Sequence, residues 1–187
     1  MSRRLAPALV ALVILAACAE PPTKEHQQAE AAVAAARNAE AATYAPDGLQ
    51  AAEAALQKYD EAVAQRDYRQ ALNFALDARD RAYDAAKQAG EAKTAARTQA
   101  EKLAAEVEAL SKTATARLAG TAGPRPTAQA ADRMRAALKT ASTALQEART
   151  LMERQDFRGA IVRLTPAAEA LRRDQPAPTP APGRRGR

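Results

Sequence analysis

An all-helical fold of about five helices, arranged as antiparallel bundles with two hairpins joined by a long central helix, is what this sequence predicts. Three observations carry the prediction. Alanine supplies most of an apolar content of 47%, aromatic residues make up only 3% of the 187, and tryptophan is absent. Alanine has the highest intrinsic helix propensity, so the composition favours helix before any pattern is considered. Glycine and proline are gathered at a few breaks, and between the breaks the apolar residues recur every three or four positions, the period of one buried helix face.

The chain opens with Arg3 and Arg4, an apolar run from Leu5 through Leu15 and small residues to Ala17, the three parts of an export signal over residues 1–17. The run is too short to cross a bilayer, which needs about 20 apolar residues, and Glu20, Pro21 and Pro22 end it. Leu15, Ala16, Ala17 and Cys18 resemble the bacterial lipobox, in which the cysteine is acylated and becomes the first residue of the mature chain. Cys18 is the only cysteine, so an acylated Cys18 leaves neither a free thiol nor a disulfide. By resemblance to the sorting rule of enteric bacteria, Ala19 after the cysteine directs the protein to the outer membrane, facing the periplasm. The membrane, reached through a lipid anchor at Cys18, is therefore the first expected partner.

Residues 18–28 read as a tether that includes His26, and residues 29–118 as a first helical region. A helix from Lys24 to Thr43 carries Ala29, Ala32, Val33 and Ala36 at helical spacing. Pro46 forces Ala45 toward an extended conformation, which makes Tyr44-Ala45-Pro46 a corner. Asp47 then suits an N-cap, with Gln50 three positions on. The helix that follows turns Leu49, Ala52, Leu56, Tyr59 and Val63 inward. Asp67 caps the next, again with a glutamine, Gln70, three residues later. That helix runs without a proline to Leu118, roughly 75 Å if unbroken. Its expected inward stripe is Leu72, Leu76, Tyr83 and Ala86, then Ala96, Ala100, Leu103, Val107, Leu110, Ala114 and Leu118. Gly90 is its one candidate for a bend.

Residues 119–126 hold two glycines and two prolines and break the helix. Residues 127–174 form a second hairpin: Thr127 starts a helix with Ala131, Met134, Leu138, Ala141, Leu145, Ala148 and Met152 inward, and Asp156 caps another with Phe157, Ile161, Leu164, Ala168 and Leu171 inward. Pro166 should kink or restart that last helix, because it removes an internal hydrogen bond. Residues 175–187 alternate proline with other residues and end in Arg184, Arg185, Gly186 and Arg187, an extended basic tail.

Asp67-Tyr68-Arg69-Gln70-Ala71-Leu72 recurs 89 residues later as Asp156-Phe157-Arg158-Gly159-Ala160-Ile161. One helical corner is thus expected twice, in two three-helix bundles that share the long helix or, alternatively, in one compact bundle made by folding that helix at Gly90. The Tyr44-Ala45-Pro46 corner, the alanine spacing before it, Leu49 and Leu56 after it, and Asp67 to Ala71 resemble the envelope lipoproteins carrying the domain of unknown function 4398, over about Ala29 to Ala89. The resemblance implies a periplasmic helical domain on a lipoprotein and brings no catalytic residues with it. The half from Thr127 onward departs from that pattern by lacking the Tyr-Ala-Pro corner. Asp67 to Ala71 is also similar to the corner of tetratricopeptide repeats, which bind peptides in grooves, although the 34-residue period of those repeats is absent.

The net charge of +6 is not a nucleic-acid signature. From Cys18 to Leu171 there are 21 basic and 21 acidic residues, and no basic face interleaved with aromatics is evident. The excess lies in the export signal and the tail, where Arg184, Arg185 and Arg187 suit contact with an anionic surface, either lipid phosphate or a cell-wall polymer. A catalytic or metal site needs converging groups. His26 is the sole histidine, Ser111 and Ser142 lie within helices with no histidine nearby, and no phosphate-cradling glycine loop occurs. The expectation is a non-catalytic scaffold or adaptor without cofactor, whose partner is an envelope protein or cell-wall polymer. The competing expectation is a peptide- or glycan-binding groove between hairpins.

Overall fold

In a computed structural model of the protein, residues 20–173 are described. Every regular element among them is a helix: α1 (Thr23–Asn38), α2 (Ala41–Tyr44), α3 (Pro46–Ala64), α4 (Tyr68–Leu118), α5 (Ala128–Glu153) and α6 (Phe157–Arg173). The predicted fold class is the observed one. The chain forms two compact units that meet within α4, between Ala92 and Lys93.

In the first unit α1, α3 and the opening turns of α4 pack antiparallel. Ala29 of α1, Ala55 of α3 and Ala78 of α4 share one buried cluster with Leu56 against it. Tyr59 and Ala62 of α3 meet Ala71 and Ala75 of α4 nearer the corner. At the other end a methyl group added to Gly48 would lie 3.1 Å from the Ala85 Cβ. The two helices approach as closely there as their backbones and one methyl allow. Arg37 of α1 pairs with Glu53 of α3 at 2.6 Å.

In the second unit the later turns of α4 pack with α5 and α6. Glu106 and Glu108 of α4 accept from Arg172 of α6 and Arg149 of α5 at 2.6 Å and 2.8 Å, and Arg163 of α6 reaches Glu147 of α5 at 3.4 Å. Among the described residues, Met134, Leu164, Leu171 and Val107 are the largest fully buried side chains. The long helix therefore serves as the last helix of one bundle and the first of the next.

Several local expectations are corrected. The first helix does not run to Thr43. It stops at Asn38, Glu40 takes a left-handed φ of 61°, and the short α2 follows. The start of this first helix at Thr23 lies one residue from the expected Lys24, within the stretch also read as tether, and His26 is helical. Asp47 is not an N-cap: α3 begins two residues earlier, with Ala45 as cap and Pro46 in the first turn, where a proline has no N–H to lose. Asp47 instead places a carboxylate in that first turn, which suits the positive end of the helix dipole. Gly90 does not interrupt α4, and Pro166 lies inside α6 without ending it. At the step before Pro166, the Thr165 hydroxyl donates to the Ile161 carbonyl at 2.8 Å.

The largest correction concerns the inward face. α4 buries Ala71, Ala75, Ala78, Ala82, Ala85 and Ala89, all at 0% exposure. The expected Leu72, Leu76 and Ala86 are half-buried beside that seam, and Tyr83 is 57% exposed. The same happens on α3 and α5, where Ala55, Ala62, Ala137 and Ala144 are buried while Leu56, Val63, Leu138, Leu145 and Met152 flank them. Further along α4 the heptad line Ala75, Ala82, Ala89, Ala96 gives way to Ala100, Val107, Ala114. That step of four moves the buried stripe around the helix. It falls where the chain passes from one unit to the other.

Candidate functional site

Leu15, Ala16, Ala17 and Cys18, and likewise Arg184, Arg185 and Arg187, lie outside the described residues. What the structure describes is the body just after the proposed anchor. Pro21 and Pro22 lead straight into α1, with the Thr23 N–H donating to the Pro21 carbonyl at 2.8 Å. Only Ala19, Glu20 and these two prolines separate Cys18 from the helix.

One turn into α1, His26 stacks on Tyr59 of α3 with ring centroids 4.2 Å apart and planes 7° from parallel. Its Nε2 is 3.8 Å from Glu30. Tyr59 is 5% exposed. Burial, and then the carboxylates of Asp60, Glu25 and Glu30, raise its phenol above the usual tyrosine value. The sequence placed His26 in a tether, and nothing in the periodicity of α1 revealed the stack. It matters because it pins the start of α1 to the end of α3, next to the corner at residues 64–68.

That corner and its counterpart 89 residues later are the most constructed features of the chain. Arg66 (φ 59°) and Gln155 (φ 61°) both adopt the left-handed conformation. In the first corner the Arg66 N–H donates to the Val63 carbonyl and the Asp67 N–H to Ala62, both at 2.9 Å. In the second, Gln155 donates to Met152 at 3.0 Å and Asp156 to Leu151 at 2.8 Å. This paired pattern closes a helix by satisfying its last carbonyls. The aspartates then open the next helix: Asp67 Oδ1 accepts from the Gln70 N–H at 2.9 Å, and Asp156 Oδ1 from the Gly159 N–H at 2.8 Å. Each aspartate thus ends one helix through its N–H and caps the next through its carboxylate. The expected reciprocal bond from the Gln70 side chain is displaced, because the Asp67 N–H is already committed to Ala62. Small Ala71 and Ala160, both 0% exposed, let the paired helices close up behind the corner.

A shallow groove of about 710 Å³ lies beside the second corner, with Met152 and Phe157 against Lys93, Arg97, Glu101 and Arg149. Its charged rim is largely self-neutralised, since Arg97 pairs with Glu101 at 2.9 Å and Arg149 with Glu108 at 2.8 Å. Of the aromatics, Tyr44, Tyr59 and Phe157 are buried, Tyr68 and Phe74 are half-buried, and Tyr83 is exposed. Lys58 sits over the Phe74 ring at 5.9 Å.

Among the described residues no three His, Cys, Asp or Glu side chains converge as metal ligands, and no helix is long and apolar enough to cross a membrane. Ser111 donates to the Val107 carbonyl of its own helix at 2.7 Å. Comparison with family models, curated proteins and solved structures finds no match to this chain.

Proposed function

We propose that this is a lipid-anchored helical scaffold or adaptor of the bacterial cell envelope, held by an acylated Cys18 in the outer membrane and facing the periplasm. It acts without catalysis or cofactor. Residues 29–89 form a region of the domain-of-unknown-function-4398 type, and the partner is an envelope protein or cell-wall polymer. The observation that carries the reading is Leu15-Ala16-Ala17-Cys18 at the end of an export signal. The two bundles support it: their buried alanines go into close helix packing, and Tyr83 and Val162, 57% and 69% exposed, stand on the outside, open to a partner. Arg184, Arg185 and Arg187 add contact with anionic lipid or polymer.

The test is membrane fractionation of cells carrying the native chain or Cys18→Ala, with a photo-crosslinking amino acid at position 83. The native chain should be found with the membrane and give a discrete crosslinked envelope product. Cys18→Ala should be released or accumulate as precursor, and the product should be lost. Normal processing and retention of Cys18→Ala would remove the anchor from the account. An anchored chain giving no crosslink from position 83 or from other exposed α4 sites would remove the adaptor.

A further inference from the structure

We propose that the first corner is the end of the first unit nearest the bilayer, and that its surface around Gln65, Arg66, Tyr68 and Arg69 docks on the lipid headgroup layer. This rests on the anchor reading above and adds to it the face that meets the membrane. The argument is one of tether length and antiparallel packing. Cys18 precedes Thr23 by five residues, a reach of at most about 17 Å at full extension, and two of the four intervening residues are the prolines that lead into α1. Such a link is short, and its prolines restrict it further.

The start of α1 is fixed to the corner end of α3 by the His26–Tyr59 stack. A bilayer holding Cys18 therefore lies against the turn between α3 and α4. The opposite end of the unit, at Asn38, is fifteen residues along α1, about 22 Å further away.

The chemistry of this end suits that neighbour. Val63 and Tyr68 are half-buried at the turn, while Gln65, Arg66, Arg69 and Gln70 are exposed. A tyrosine with an apolar body and a wet hydroxyl fits a boundary between hydrocarbon and water. The segments at this end carry Lys24, Arg66 and Arg69 and also Glu20, Glu25, Glu61 and Asp67, three basic and four acidic residues, so charge does not select an anionic surface. The tether decides the docking.

The experiment uses the full acylated lipoprotein in vesicles of phosphatidylethanolamine and phosphatidylglycerol. Its one native thiol is consumed by the anchor, so a nitroxide can be attached at a single introduced cysteine, in Gln65→Cys, Arg69→Cys or Asn38→Cys. Mass spectrometry first establishes acylation. Labels at 65 and 69 should lose most of their collisional access to a water-soluble nickel chelate relative to the same sites in the unacylated Cys18→Ala background, while the label at 38 keeps its access. Acylated, vesicle-bound protein in which positions 65 and 69 remain as accessible as 38 overturns the docking and leaves the anchor standing. A chain of unmodified mass that does not bind vesicles overturns the anchor, and the docking with it.

Discussion

Replacing Arg66 or Gln155 by glycine should stabilise the protein, and the magnitude follows from the backbone. Both residues hold a φ near 60°, where an L side chain costs about 1–2 kcal/mol through crowding of its Cβ by the carbonyl. Glycine removes that cost but gives back about 0.4–1 kcal/mol through the greater freedom of the unfolded chain. The net gain is about 0.5–1 kcal/mol at each position. The flanking hydrogen bonds are untouched, because all four are made by backbone groups. The two sites lie in different units, so the effects should add. With a urea dependence of about 1–3 kcal/mol per molar, each substitution should raise the midpoint of its own unit by roughly 0.2–1 M. Far-ultraviolet circular dichroism on the chain from Ala19 onward measures it. Gly120 ends α4 with the same left-handed turn at φ 75°, so Gly120→Ala should move the other way by about 1 kcal/mol. Unchanged or lower midpoints for both Arg66→Gly and Gln155→Gly would refute the reasoning, whatever Gly120→Ala does.

Two further outcomes follow from the seams and from Tyr59. Ala75 and Leu164 occupy equivalent places in the two units and are both 0% exposed. Ala75→Leu should overpack the first seam at a cost of about 1–3 kcal/mol, and Leu164→Ala should leave a cavity in the second at about 2–5 kcal/mol; denaturant midpoints that tolerate either change would show that the two seams are not built to different spacings. Burial and neighbouring carboxylates favour the neutral Tyr59 phenol in the folded chain. Its contribution is therefore complete below the ordinary tyrosine value of about 10 and is lost as pH rises through the higher folded value. Tyr59→Phe keeps a ring for His26 and should flatten that alkaline loss in a series of melts at rising pH. An identical slope in the variant would count against the assignment.

What could be read from the sequence was what rests on local chemistry. The two aspartate corners were legible at their 89-residue offset because a side-chain cap leaves a mark: Asp67 and Asp156 each precede an aromatic residue and a buried alanine. Thr127 was legible for the same reason, and its hydroxyl accepts from the Ala130 N–H at 3.3 Å. The left-handed residues were not. Arg66, Gln155 and Glu40 carry no glycine signal, and their conformation is imposed by the packing of the helices on either side. Much of the inward face was legible, including Leu49, Tyr59, Val107, Met134 and Leu164, but at Leu56, Leu72, Leu76, Tyr83, Leu138 and Leu145 it was misread by one position because large apolar residues were taken for the buried line. Where helices approach as closely as α3 and α4 do at Gly48 and Ala85, only small residues fit between them, and the leucines move to the flanks to cover the gap. The His26–Tyr59 stack depends on two helices meeting and left no trace in the sequence of either.

The alanine seams also shape how the protein should respond to temperature. An alanine surrenders no rotamer freedom when it is buried, and its single methyl withdraws little apolar surface from water. Unfolding such an interior rehydrates less hydrocarbon per residue than unfolding one made of leucine and phenylalanine, so its heat-capacity increment is small. A small increment flattens the stability curve. A body of this kind varies little in stability between a cold and a warm environment.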